Sequence, residues 1–519
     1  MKNNIYKIGT TLIVSCLIAC NIISCKKDTL LNKTPITSLD NTKALKTEAD
    51  YTALLNSAYD PFQWQVYNGP QTHMFPVMWQ DIRADNCISQ WASYWTFGAV
   101  LDDLTKIQAN NTNITAMWRK WYTAISRANT AINFISTYNG FTTPGLKERL
   151  LAEAKFVRAF SYFELVKHFG DVPLIVTYIG STSDNLKFPR TAKADVYSQI
   201  EKDLGEAYPI LPANYADVSD KGRTTKGAAL TLLAKVELYQ KKWDKVKTYT
   251  EMVMGLGYQL EANFADNWSL SNEYGKESIF EIGYQSGIYN NAFESPDAFK
   301  NQGSASYQMF GFIPAGTGAF GNSVPRQQLI DLYNSSDQRK DATFIIPTTY
   351  LPDLGQTGFD AGTQYYHYYW TNPDALVSQA SMRKYYIPKS VAKSLSNLGS
   401  DPLNEKVFRY ADVLLMHAEA SIMGAGGDGL GSLNQVIQRA YGNASHNLST
   451  YTLADVKLQR RLELATEGWD RFTDLVRWGD ASSALAFKHF TVGRDELLPI
   501  PQAEIDIVGS NILKQNPGY

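Results

Sequence analysis

The densest set of chemistry-bearing side chains is Asp81-Ile82-Arg83-Ala84-Asp85-Asn86, followed closely by Trp91, Tyr94 and Trp95. Two carboxylates, a guanidinium and a carboxamide beside three rings suit a ligand with flat C–H faces and rims of hydroxyls. A sugar is such a ligand, and each stacked ring contributes roughly 1 kcal/mol by analogy with aromatic pairs. The same spacing has a second reading, since Trp91 and Trp95 stand four apart and would share one buried helical face. Tyr289, Asn290, Phe293, Tyr307, Phe310 and Phe320 form a second candidate group, and Tyr365-Tyr366-His367-Tyr368-Tyr369-Trp370 a third. No buried strand hides the third group entirely, because alternate side chains face opposite sides. Packing of rings beneath long loops is the competing account of both.

Catalytic sets are sparse. Glu463 and Glu467 lie one helical turn apart, the minimum for two-carboxylate hydrolysis of a glycosidic bond. Arg460, Arg461 and Arg471 surround them in sequence, which argues for structural ion pairs. Such pairing lowers a carboxylate pKa, the wrong direction for a general acid. The six His residues fall in no metal-ligand spacing, and neither a phosphate loop nor a nucleophile elbow occurs. Cys87, beside Asp85 and Asn86, reads as a small packed residue. No enzyme activity, metal or cofactor is expected.

These side chains need a scaffold, and the chain is long enough to supply one. Its 519 residues carry 49 basic against 51 acidic side chains, a balance that gives no sign of a polyanion-binding surface, so no nucleic-acid partner is expected. Tyr and Trp, 31 and 11, outnumber the 23 Phe, favouring rings with a polar edge at wet surfaces. From about residue 47 to 260 the pattern is helical. Ile114, Trp118, Trp121, Ile125, Ala128, Ile132 and Ile135 step by four and three along one stripe. Thr143-Pro144 is expected to cap the next helix, whose buried face carries Leu150, Ala154, Val157 and Leu165 before Gly170 and Pro173 stop it. Ala228 to Tyr239 and Trp243 to Met254 form a helix pair around Lys241-Lys242, with Leu233-Ala234 and Trp243 at tetratricopeptide-like positions. Val246 and Thr250 depart from that pattern, so the scaffold is a degenerate helical repeat. Residues 261–400 are loop-rich and aromatic, with β-like runs such as 278–284, and they are the expected binding region. Helices return at Phe408 to Ile422 and Leu453 to Trp478.

The N-terminus gives the compartment. Lys2 and Lys7 precede an apolar run from Ile8 to Cys25, shorter than the roughly 20 residues of a membrane span. Ser24 precedes Cys25, and Lys26-Lys27-Asp28 follows, the layout of a bacterial lipoprotein signal. Residues 1–24 are then the signal peptide, Cys25 the lipidated N-terminus, 25–46 a tether and 47–519 one domain. Cys20 fits the same pattern, but cutting before it would leave Ile22 and Ile23 on the mature arm. An ordinary secretory signal or a helical anchor is the alternative, and each exports the chain. With Cys16 and Cys20 removed and Cys25 acylated, Cys87 alone remains, so no internal disulfide forms.

Four segments together resemble one family, the SusD/RagB-like nutrient-binding outer-membrane lipoproteins. They are residues 158–174 (RAFSYFELVKHFGDVPL), 409–420 (RYADVLLMHAEA), 461–472 (RLELATEGWDRF) and the ending Leu497-Leu498-Pro499-Ile500-Pro501-Gln502 with Gln515-Asn516-Pro517-Gly518-Tyr519. The resemblance covers nearly the whole mature chain; Ile437, where members commonly carry Arg, is one departure. It implies a mostly α fold, a tetratricopeptide-like scaffold with a loop-rich aromatic face and short β segments. It also implies capture of oligosaccharides for polysaccharide utilization, at the exterior of the outer membrane, beside a SusC-like TonB-dependent transporter. Lys26-Lys27-Asp28 resembles the charged stretch that sends such lipoproteins to the surface. A peptide ligand, a surface glycosidase or a purely structural lid are the alternatives. Ligand residues of the family lie in variable loops, so none transfers by position.

Overall fold

The computed structural model describes residues 45–63, 78–89, 100–180, 188–284, 323–346, 350–351, 356–357, 380–386 and 403–519. The chain divides into two compact units, Met1–Thr52 and Ala53–Tyr519. Helix α1 (Glu48–Tyr59) begins in the first: the Thr47 hydroxyl accepts from the Asp50 amide while the Asp50 carboxylate accepts from the Thr47 amide. This reciprocal pairing satisfies two amides that the first helical turn leaves without partners.

The second unit is a helical repeat. α2 (Thr112–Thr137) is followed by α3 (Leu146–Phe169), α4 (Lys193–Ala207), α5 (Lys226–Tyr239) and α6 (Trp243–Met254), and each of these four packs against the helix before it. Asn111 caps α2 by accepting from the Asn113 and Ile114 amides. The expected stripe of α2 is buried, with Ile132 half-buried at its edge. Fully burying each large apolar side chain contributes about 1.5–3 kcal/mol.

Helix α3 starts later than the Thr143-Pro144 cap implies. Gly145 is its N-cap, in the left-handed region at φ 74°, which Gly adopts without a Cβ clash. From Phe156 to Phe169 every α3 residue is buried, so this helix is the axis of the core and shows no polar face. Arg158 on α3 forks onto Asp203 of α4 at 2.6 and 2.8 Å and also donates to Asn129 Oδ1 of α2 at 2.8 Å, tying three helices together. α6 matches its expected limits and α5 starts two residues earlier than expected; Thr225 caps α5 and Lys241 turns the chain at φ 58°. Phe160 is the centre of a ring cluster, 5.1 Å from Phe62, 5.7 Å from Trp121 and about 6 Å from Phe280, Phe408 and Trp469.

The described strands are short. β1 (Cys87–Ser89) pairs antiparallel with β3 (Ser323–Pro325), β2 (Ser278–Ile282) with β8 (Glu405–Arg409), β4 (Phe344–Ile345) with β7 (Ser381–Met382), and β5 (Tyr350–Leu351) with β6 (Gln356–Thr357). The helix expected from Phe408 begins instead at Tyr410, as α7 (Tyr410–Ala420). Phe408 lies opposite Phe280 across the β2–β8 pair, and this cross-strand packing holds it extended. The helix expected over Leu453 to Trp478 is two, α9 (Leu453–Leu464) and α10 (Arg471–Trp478), after α8 (Gly429–Tyr441). Thr466 and Gly468, at φ 67° and 87°, break it. Among the described residues, no helix is long and apolar enough to cross a membrane.

Candidate functional site

Three aromatic segments were candidates for ligand contact, and one described flank of each comes together at β1, β3 and β7. β1 and β3 pair in the register Cys87–Pro325, Ile88–Val324 and Ser89–Ser323. Ser89 precedes the segment carrying Trp91, Tyr94 and Trp95; Ser323 follows the one carrying Tyr289, Phe293, Tyr307 and Phe320. These seven residues, with Cys25 and 365–370, lie outside the described residues. β7, which follows the third segment, lies against β3, and Met382 Sδ is 4.0 Å from Cys87 Sγ.

The two ends of segment 90–99 are clamped. Asp102 accepts from the Ser89 amide at 2.9 Å and from Lys488 at 2.9 Å. Lys488 is fully buried and also donates to the Ile82 and Leu101 carbonyls at 2.7 and 3.1 Å. Burial pulls the pKa of its ammonium down, while Asp102 opposes that shift. On the other side, the Asn404 carboxamide accepts from the Tyr284 amide at 2.8 Å, at the start of segment 285–322. No local sequence signal marks Asp102, Lys488 or Asn404, since their partners lie far along the chain.

Asp81, Arg83, Asp85 and Asn86, expected at the edges of a ligand, are framework in the structure. Arg83 is 0% exposed, donates to the Asp495 and Leu497 carbonyls at 2.8 and 3.1 Å, and lies 3.8 Å from the Phe472 ring centre. Asp85 receives a fork from Arg471 at 2.7 and 2.8 Å and a third contact from Arg461 at 3.1 Å. Burial alone would raise the Asp85 pKa, but those guanidiniums outweigh it and hold the carboxyl below its ordinary range. Asn86 donates to Asp81 Oδ1 at 2.7 Å and accepts from Arg461 at 3.0 Å. Burial lifts Asp81 to about 6. Asn86 is committed to Asp81 and Arg461, Asp85 to Arg461 and Arg471, and Arg83 to the backbone of a distant turn, so these buried side chains fix the approach to β1.

The Glu463–Glu467 pair is also structural, with different cations from those adjacent in sequence. Glu463 meets Arg409 at 3.0 Å, Arg339 at 3.3 Å and Arg439; Glu467 meets Arg409 at 2.6 Å and Lys384 at 2.7 Å. Arg461 and Arg471 turn to Asp85, and Arg460 to Asp412 and Asp474 at 2.7 and 3.1 Å. Burial would raise Glu463, yet Arg439, Arg409 and Arg339 drive it well below the usual carboxylate range. A carboxyl so held is ionised at neutral pH and donates no proton. Cys87 is buried, and desolvation pushes its thiol well above its ordinary value, which disfavours the thiolate.

This framework has relatives. A family model described as starch-binding, associating with the outer membrane, matches residues 33–238, and the SusD family model matches 268–519. The chain belongs to the SusD/RagB family. SusD-like protein P2 of Formosa agariphila is 25% identical over 544 residues, covering 99% of each chain. A SusD-like protein of Bacteroides ovatus is 27% identical over 423 residues, 76% of this chain and 70% of that one. Among solved structures, a laminarin-binding SusD-like protein is 28% identical with a TM-score of 0.76, covering 92% of this chain and 100% of that one. Surface glycan-binding protein A from Bacteroides fluxus is 25% identical, with the same TM-score and coverage. The SusD-family fold is mostly α, a tetratricopeptide-like scaffold, as this chain shows.

Proposed function

We propose that this SusD-family chain is a non-catalytic surface lipoprotein that captures oligosaccharides and passes them to a SusC-like TonB-dependent transporter in the outer membrane. The observation that carries the reading is the pairing of Ser89 with Ser323. Segments bearing Trp91, Tyr94, Trp95 and Phe320 are thereby tied at adjacent points of one clamped ribbon, and Tyr289, Phe293 and Tyr307 belong to the same segment as Phe320. The likeness to a laminarin-binding protein and to a surface glycan-binding protein supports the ligand class. Ring plates give weak, reversible capture, and a lipid on Cys25 holds the binder near the pore, where modest affinity suffices.

Calorimetry of the mature chain against laminarihexaose, other hexasaccharides and a peptide panel tests this. A glycan should bind, and Trp91→Ala or Trp95→Ala should weaken it by about fivefold, the worth of one stacked ring. Peptide binding without glycan binding, or turnover of any glycan, would overturn the reading. Palmitate labelling should be lost in Cys25→Ser; label persisting there would move the anchor to Cys20.

A further inference from the structure

Two adjoining cavities of about 340 and 280 Å³, lined by no residue of β1 or β3, lie along the β2 edge of the scaffold. Both are lined by Lys221, Gly222, Arg223, Tyr274, Phe280 and Glu281. Tyr274 stands between them. A Cβ at Gly222 would come within 2.9 Å of its hydroxyl, and one at Gly283 would overlap it. Two glycines therefore make room for one ring.

That ring is held at a cost. Tyr274 has φ 55°, a left-handed conformation unfavourable for a bulky side chain. Its amide is fixed by Glu281 Oε1 at 3.0 Å, and Glu281 in turn by Lys406 at 2.7 Å and Asn404 at 2.8 Å. Tyr274 stands outside the apolar core clusters of the described residues. Strain of this kind collects where a ligand is clamped.

The walls are set in advance. The Tyr59 hydroxyl bonds Glu153 at 3.0 Å and that of Tyr215 bonds the Thr224 carbonyl at 3.0 Å, which fixes both rings. Arg223 is braced by Asp220 at 2.6 Å and Glu153 at 3.2 Å. By contrast, the side chains of Asn56, Asn214 and Lys221 have no polar partner among the described residues, and they line the first cavity, the second and both, respectively. Fixed rings with uncommitted amide and ammonium groups between them suit a chain of hydroxylated rings, not an apolar ligand.

We propose that the two cavities form a second saccharide site, in which successive sugar residues lie on either side of Tyr274. It shares its ligand class with the function proposed above and none of its residues. The test uses the mature chain carrying Trp91→Ala and Trp95→Ala, with laminarihexaose, cellohexaose, mannohexaose and an alginate hexasaccharide as probes. At least one probe should still bind and should shield Lys221 from acetylation, read by mass spectrometry. Adding Tyr274→Gly, which accommodates φ 55°, should weaken this residual binding about fivefold, as for one lost ring. Lys221→Ala, at an exposed position, should weaken it too and guards against a folding defect in the first variant.

Residual binding unchanged by both substitutions, or Lys221 unshielded while a probe binds, would overturn the second site alone. So would loss of all binding in the Trp91→Ala, Trp95→Ala chain when the unmutated chain binds. Binding of no probe by the unmutated chain would remove the function proposed above and this site with it.

Discussion

Replacing Asp81 by Asn separates a framework carboxyl from a ligand contact. Asp81 is 1% exposed; its Oδ1 accepts from Asn86 and from the Thr466 amide at 3.2 Å, while Oδ2 has no hydrogen-bond partner. Burial raises its pKa from 3.8 to about 6, against the smaller pull of Asn86, Thr466, Lys384 and Arg471. A carboxyl raised in the fold binds a proton there more tightly than in the unfolded chain. Its contribution to stability is therefore complete below pH 3.8 and is lost as pH rises through about 6. At about 1.4 kcal/mol per unit, the interval amounts to about 3 kcal/mol. Asn keeps the Oδ1 acceptor and cannot ionise. Urea unfolding of both proteins at pH 4, 5, 6 and 7 should show Asp81→Asn gaining on the parent by about 2.5 kcal/mol across that range, the rest of the effect lying below pH 4. Taking the difference cancels every other titrating group. A difference constant with pH would refute the assignment of Asp81 to the buried framework, as would a large loss of glycan affinity with unchanged stability.

Lys488→Met should cost about 3 kcal/mol in denaturant unfolding, because two buried carbonyls lose their donor while water still reaches Asp102. It should also weaken glycan binding, since the base of segment 90–99 is no longer clamped. Arg158→Leu should lower stability by about 3–5 kcal/mol, leaving Asp203 buried without its partner. Arg158→Lys should recover little of it, since an ammonium cannot make the fork. Acid should weaken the fold as pH falls from about 4.5 toward 2. Glu164 and Asp412 are both held at about 2 by Lys167 and by Lys235 with Arg460, against the opposing pull of burial, so the stability they contribute above their unfolded pKa is lost there. Thermal unfolding at pH 5, 4, 3 and 2 checks the direction.

Local pattern carried the helices well. The α2 stripe, the limits of α6 and the strand at 278 follow from periodicity and from turn residues within a few positions. The misses share a cause. Phe408 and Arg409 have helical neighbours in sequence, but a strand 128 residues away claims Phe408 through Phe280. Thr466 and Gly468 break a pattern that polar spacing alone would continue. The ionic partners were misassigned because Arg460, Arg461 and Arg471 are the cations nearest to Glu463 and Glu467 along the chain. In space, Arg339, Lys384, Arg409 and Arg439 are nearer.

Composition, the apolar leader before Cys25 and helical periodicity are properties of neighbouring residues, and they determined the helical class and the expectation of export and ring-mediated binding. Which polar groups remain free is a property of the whole assembly. Asp81, Arg83, Asp85 and Asn86 were the natural candidates by type, and burial against Arg461, Arg471, Phe472 and the 495–497 turn made them framework. The cost of burying an unpaired polar or charged group favours a partner for each, and that partner comes mostly from whichever distant element the fold brings alongside.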